Sequence, residues 1–215
     1  MLKLGALALM CADHVHFVFF GRPLEWLYWF SRLVFPIFAL IAAHNLEHHH
    51  ANPQRYISRL LLYGVIAQPF YWFCFHVPQL NVLFTLAANI AMWWLLQTLK
   101  ARGVHAWLRC GITLTLASSL PFLEFGWAGM LAMPVYAALM RRGAWWDWLV
   151  AFVLAFGIVG FTTPWIMPMV AVVLWALASR LPTSPSPRAK PWMQHAAYAF
   201  YPAHLAVIAL IAQVA

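Results

Sequence analysis

Charge is what this chain of 215 residues has least of: only 8% of its residues are Asp, Glu, Lys or Arg, and just 5 of them are acidic. Soluble globular domains carry about 25% charged residues, so a water-solvated surface is excluded for most of this sequence. Cysteine is also scarce. Cys11, Cys74 and Cys110 lie far apart within apolar runs and form no CxxC pair, which excludes a disulfide framework and the usual zinc spacings. Neither Ser nor Cys occurs in a setting that marks a covalent nucleophile. Internal repeats and any polar stretch long enough for a soluble domain are missing as well.

What fills the chain instead is apolar: 65% of it is hydrophobic, 17% aromatic, with 13 tryptophans and a mean hydropathy of +0.76. Trp and Tyr favour the bilayer interface, and here they cluster, as in Trp26-Leu27-Tyr28-Trp29-Phe30. The expectation is an all-α, polytopic transmembrane bundle forming a single domain over 1–215. A membrane span needs roughly 20 apolar residues. On that scale about nine spans are expected, near 4–20, 26–46, 56–76, 80–98, 104–121, 125–141, 144–160, 162–180 and 195–213. The Pro- and Ser-rich 181–194 reads as a loop. Lys3 before an apolar run resembles a signal peptide, but the run passes Asp13 and His14 without a small-residue cleavage site, so an uncleaved first span is expected.

The net charge of +8 comes from positives scattered singly between apolar runs, a pattern of topogenic charges and not of a nucleic-acid interface. Lys3, Arg55 and Arg59, Lys100 and Arg102, Arg141 and Arg142, then Arg180, Arg188 and Lys190 fall on alternate connections. The others carry only Arg22, beside Glu25. This alternation places the N-terminus in the cytoplasm and the C-terminus outside, in the periplasm if the membrane is a bacterial inner membrane.

Ionisable groups inside a bilayer face the bundle interior or water and mark function. At 1.5 Å per residue, Asp13 and His14 lie roughly 14–15 Å into the first span, Arg32 about 9 Å from the outer end of the second, and His204 about 14 Å into the last. Gln68 and Asn89 are mid-span. Asp13 can pair with His16 on its own helix or with Arg32 on the next, leaving His14 free to act. The plain alternative is that these groups are only helix-to-helix glue. His44-Asn45-Leu46-Glu47-His48 fits an H-x-x-E-H zinc-peptidase spacing. Without a downstream third ligand it reads better as a solvated helix end, and no metal is expected.

Several blocks together resemble the TraX family, which acetylates conjugative F-pilin: Leu7-Ala8-Leu9-Met10 with Asp13-His14, Arg32 to Ala39, Asn45-Leu46, Ser58-Arg59-Leu60, Val65 to Gln68, Asn81 to Phe84, and Ala199 to Val207. They occur in family order, although 100–190 adds no motif. The resemblance implies an inner-membrane acyltransferase that moves acetyl from acetyl-CoA to a pilin N-terminal amine. Tyr201-Pro202-Ala203-His204 also looks like a motif of larger acyltransferases of sugars and surface polymers, so a cell-surface glycan or other envelope acceptor is the alternative. The positions that match are Asp13, His14, Arg32, Pro36, Arg59, Gln68, Asn81 and His204. Acyl transfer needs a base, oxyanion donors and positive charge for CoA phosphates. His14 is the expected base, Arg32 or Gln68 the donor, and His204 an orienting group. Arg55, Arg59 and Arg109, together with Asn81, are the expected CoA-binding residues, though the arginines are equally explained as topogenic. A small-solute or proton-coupled transporter could use the same polar layer, and a structural role in pilus assembly is a further alternative. The missing repeats count against the transporter.

Overall fold

A computed structural model describes residues 2–21, 24–48, 51–118, 122–142 and 191–214. They form eight helices: α1 (Leu2–Phe20), α2 (Glu25–Ser31), α3 (Val34–His48), α4 (Pro53–Phe75), α5 (Val82–Ala101), α6 (Ala106–Ser118), α7 (Gly126–Arg142) and α8 (Pro191–Val214). No strand occurs among the described residues, so the all-α expectation holds. The expected spans at 144–160 and 162–180 lie outside them, as does most of the 181–194 loop. Among the described residues only Lys3–Phe20 and Val82–Ala101 are long and apolar enough to cross a bilayer by length and composition.

The second expected span, 26–46, is broken in two. Pro36 lacks an N–H, and its ring would collide with the carbonyl of Arg32 in a continuous helix. The chain therefore closes α2 with a tight turn, Leu33 N–H to the Phe30 carbonyl at 3.0 Å, and restarts with Ile37 N–H to the Leu33 carbonyl at 3.0 Å. Arg32 sits in that break. The last helix also begins earlier than the expected 195, because Pro191 is acceptable in a first turn, where no intrahelical N–H partner is needed.

Neighbour contacts fix the direction of the helices. His14 meets His204, and Val18 and Phe19 pack with Ile208 and Ala209, so α1 and α8 run parallel. Tyr63 meets His195 while Cys74 lies beside Leu205, so α4 runs with them. After the 76–81 turn α5 returns along α4, and α7 runs parallel to α5, with Thr85 against Gly129 and Asn89 bonded to the Met133 N–H at 2.9 Å. The chain ends, carried by parallel helices, thus leave the described bundle at opposite ends.

The core is mostly apolar, with Asn81, Thr85 and Asn89 fully buried inside it, while Leu62, Val65, Ile66, Leu114, Val207 and Leu210 are exposed. An apolar exterior with its few polar groups turned inward is the arrangement a bilayer demands.

Small residues let the helices approach. A Cβ on Gly129 would lie 2.6 Å from Phe125 Cβ and 2.8 Å from Thr85 Cγ2, so α5 and α7 touch there at backbone distance. Replacing Gly129 by Ala is expected to destabilise the protein by about 1–3 kcal/mol through overpacking. Gly111→Ala, with nothing within 4 Å of the added carbon, should leave the detergent melting midpoint unchanged or higher. Thermal unfolding of the two variants side by side checks this.

Candidate functional site

The site is built where α1, the α2–α3 break, the C-terminal half of α4, the start of α5 and α8 converge. Asn81 holds the frame. Its Nδ2 donates to the Gly64 carbonyl (2.9 Å) and to Gln68 Oε1 (2.7 Å), its backbone N–H reaches the same Oε1 (3.0 Å), and its Oδ1 caps α5 through Leu83 N–H (3.1 Å). Gln68 Nε2 donates to the Gln79 carbonyl at 3.0 Å. Every side-chain hydrogen-bonding group of Asn81 is engaged and the residue is 0% exposed.

Two of the expected site residues belong to this frame. Asn81 stands at the start of α5, beyond the far end of α4 from Arg55 and Arg59, and has no donor left for a nucleotide. Gln68 has its oxygen doubly occupied and one Nε2 proton on the Gln79 carbonyl, and so joins α4 to the 76–81 turn. Arg55 and Arg59 lie in the first two turns of α4 and Arg109 in the first turn of α6, at the opposite end of the bundle, near the end of α5 that carries Lys100 and Arg102. The zinc-like motif is also taken up structurally, since Glu47 Oε1 accepts from Trp93 Nε1 at 2.9 Å.

Asp13 pairs with Arg32 across helices: Asp13 Oδ2 lies 3.5 Å from Arg32 Nη2, and the guanidinium sits 4.4 Å above the Tyr28 ring. Asp13 Oδ1 and Arg32 Nε are buried without a hydrogen-bond partner. Arg32 is within electrostatic reach of His14.

His14 Nδ1 and His204 Nε2 are 2.9 Å apart with nearly parallel rings, 13° between planes. His204 Nδ1 lies 3.0 Å from the Phe200 carbonyl. A carbonyl only accepts, so Nδ1 of His204 carries its proton and, in the neutral ring, Nε2 is a lone pair. His14 must then donate from Nδ1. This chain of two bonds leaves His14 Nε2 as an unprotonated lone pair, held in one tautomer by a partner on another helix.

One acidic residue escaped the reading by helical depth. Glu124 lies in the connection before α7, which Leu80 N–H grips through the Phe122 carbonyl at 2.9 Å and Phe35 holds by stacking on Phe125 at 4.3 Å. Its carboxyl takes a hydrogen bond from the Val82 backbone and faces Arg32 and Asp13, with Tyr71 and Tyr201 close by. Burial raises its pKa from the usual carboxylate range to about 7, against the opposing pull of Arg32. The signal available in the sequence was its isolation: with Asp147 it is one of two carboxylates after Glu47.

The family model described as TraX protein matches residues 1–212. A Protein TraX of Escherichia coli is 30% identical over 144 residues, 66% of this chain and 56% of that protein. A probable fimbrial assembly protein FimC, serogroup H1, of Dichelobacter nodosus is 31% identical over 142 residues, 59% of this chain and 55% of its own length. Protein TraX of Escherichia coli strain K12 is 29% identical over 144 residues, 66% of this chain and 56% of its own length. The chain thus spans about half the length of the curated relatives it matches. No solved structure matches.

Asn81→Ala removes the α5 cap and strands the Gly64 carbonyl. The expected loss is about 2–3 kcal/mol, read as a lower melting midpoint in detergent.

Proposed function

Because the chain belongs to the TraX family, we propose that it is an integral membrane acyltransferase moving acetyl from acetyl-CoA to an envelope acceptor, with a pilin N-terminal amine as the acceptor. The observation that carries the chemistry is the His14–His204 hydrogen bond with its fixed tautomer. The acceptor reading draws on the resemblance to pilin acetylases and on the relative named as a probable fimbrial assembly protein. A cell-surface glycan is the alternative acceptor.

In this mechanism the acceptor amine attacks the thioester carbonyl while His14 Nε2 takes its proton. His204, bonded on to the Phe200 carbonyl, holds the His14 ring in the basic tautomer and stabilises the imidazolium that forms. Arg32 donates to the oxyanion. Its Nε is a buried donor without a protein partner, and Asp13 holds the other side of the fork. The tetrahedral intermediate collapses with cleavage of the C–S bond, and His14 returns the proton to the departing thiolate. Arg55, Arg59 and Arg109 at the other end of the bundle suit the CoA phosphates, whose fork-like recognition is an arginine specialty. A long pantetheine arm reaching from that end would bring the thioester to the histidines.

The parallel course of α1 and α8 supports an odd number of spans in a bacterial inner membrane, with the N-terminus cytoplasmic and the C-terminus periplasmic. CoA would then enter at the arginine end and the acceptor at the Glu124 end. Reporter fusions after residue 78 are expected to be active only as periplasmic reporters, and a cytoplasmic signal there would overturn the orientation.

His14→Asn tests the base. Asn places an N–H where Nδ1 stands and can still donate to His204, but has nothing at Nε2. Transfer should fall by about 10²–10⁴-fold with acetyl-CoA binding retained. Full turnover by this variant in a labelled acetyl-CoA assay with pilin peptides would remove His14 from the mechanism.

A further inference from the structure

The charges around Arg32 do not balance. One guanidinium faces the carboxyl groups of both Asp13 and Glu124, while the adjacent histidines are neutral in the tautomers their hydrogen bonds dictate. Asp13, 9% exposed, has one oxygen without a partner, and so does Glu124, whose Oε2 is fully shielded. A second buried carboxylate beside a single cation is stable only if it keeps a proton or meets another cation. Among the described residues α1 adds His16, which faces Asp13, but the only cation facing Glu124 is Arg32: α4 and α8 present Tyr71 and Tyr201 to it, and α5 presents the Val82 backbone.

We propose that Glu124 binds the ammonium of the acceptor and takes its extra proton, so that the site selects amine over hydroxyl acceptors. This rests on the acetyl-transfer reading above. Glu124 lies at the end of the bundle away from the CoA-suited arginines, in a connection and not inside a helix, where an acceptor chain end arrives without crossing the bundle. The proton count closes. An ammonium gives one proton to Glu124 and becomes a nucleophilic amine, which gives its second proton to His14 as it attacks. The departing thiolate leaves with the proton from His14, the product is a neutral amide, and Glu124 releases its proton to water. A carboxyl held near 7 is matched to an α-amino group, whose pKa is about 7.7–8.0, and poorly matched to a lysine at about 10.4.

The test uses the full chain in detergent, with a short peptide bearing a free N-terminus, its N-acetylated twin and a twin in which a hydroxyl replaces the amine. Glu124→Gln should raise KM for the amine peptide about 10- to 100-fold, the loss expected for a charge-assisted bond, and leave KM for the hydroxyl peptide unchanged. In the wild type KM for the amine should fall as pH rises through about 7, as Glu124 ionises, and the dependence should vanish in Glu124→Gln. Glu124→Asp, which keeps the charge, should retain both the selectivity and the pH dependence. Equal amine KM and identical pH profiles in wild type and Glu124→Gln would overturn the proposal. A second readout does not need turnover. The infrared carboxyl band lost in Glu124→Gln should disappear from the wild type on adding the amine peptide, and persist with the N-acetylated twin. A band that ignores the amine peptide overturns ammonium binding even if acetyl transfer is intact. A band that responds in a protein that transfers no acetyl keeps the ammonium site and removes the acetyltransferase reading.

Discussion

Asn81 carries a constraint on which the rest of the arrangement depends. A helix start buried among other helices must satisfy its orphan N–H groups without water, and here the Asn81 side chain takes that of Leu83 while also tying two neighbouring elements. By capping α5 it fixes where that helix begins. By binding Gly64 and Gln68 it fixes α5 against α4. The 76–81 turn is thereby held down, so Leu80 can pair with the connection before α7 and carry Glu124 inward. A polar network in a low-dielectric interior is valuable only when complete. Asn81 meets that condition with all of its groups.

A second break in regularity does complementary work. A continuous helix through residues 26–46 would have placed Arg32 on a helix face. Pro36 disfavours that, and the interruption delivers the guanidinium to Asp13 on α1 and over the aromatic face of Tyr28. The two devices meet from opposite sides. The α2–α3 break supplies the positive charge, and the α4–α5 corner supplies the frame that holds the Glu124 connection.

The sequence was most informative where burial imposes a cost on chemistry. Asp13, His14, Arg32 and His204 stood out because ionisable groups in apolar runs need an explanation, and these four are brought together. The helical content and the positions of α1, α4 and α5 followed from apolar run length. Less was legible wherever the answer depended on a partner. Gln68 and Asn81 look like binding residues in isolation, and only the coordinates reveal that they bind each other. The interruption at Arg32 was visible in Pro36, but a proline inside a membrane helix is often tolerated, so run length prevailed. Glu124 sits in a connection, where a carboxylate ordinarily meets water. Nothing in its neighbours announces that the connection folds inward.

The separation of charge along the bundle gives these pieces a common logic. Arginines at one end suit a polyanionic nucleotide, and an unbalanced carboxylate at the other suits a cation. Between them the paired histidines hold a lone pair in a fixed tautomer. A thioester is stable until a neutral amine is made beside it, and an ammonium is inert until its proton has somewhere to go. Keeping the proton acceptor for the ammonium apart from the base that acts during attack lets the two protons leave in sequence. A single histidine would have to release the first proton to water before it could accept the second. Water beside the thioester would compete with the amine as nucleophile. In the proposed acetyl transfer, two acceptors on different elements, one near each substrate's approach, would avoid that conflict, and the inward fold of the Glu124 connection would make the second acceptor available.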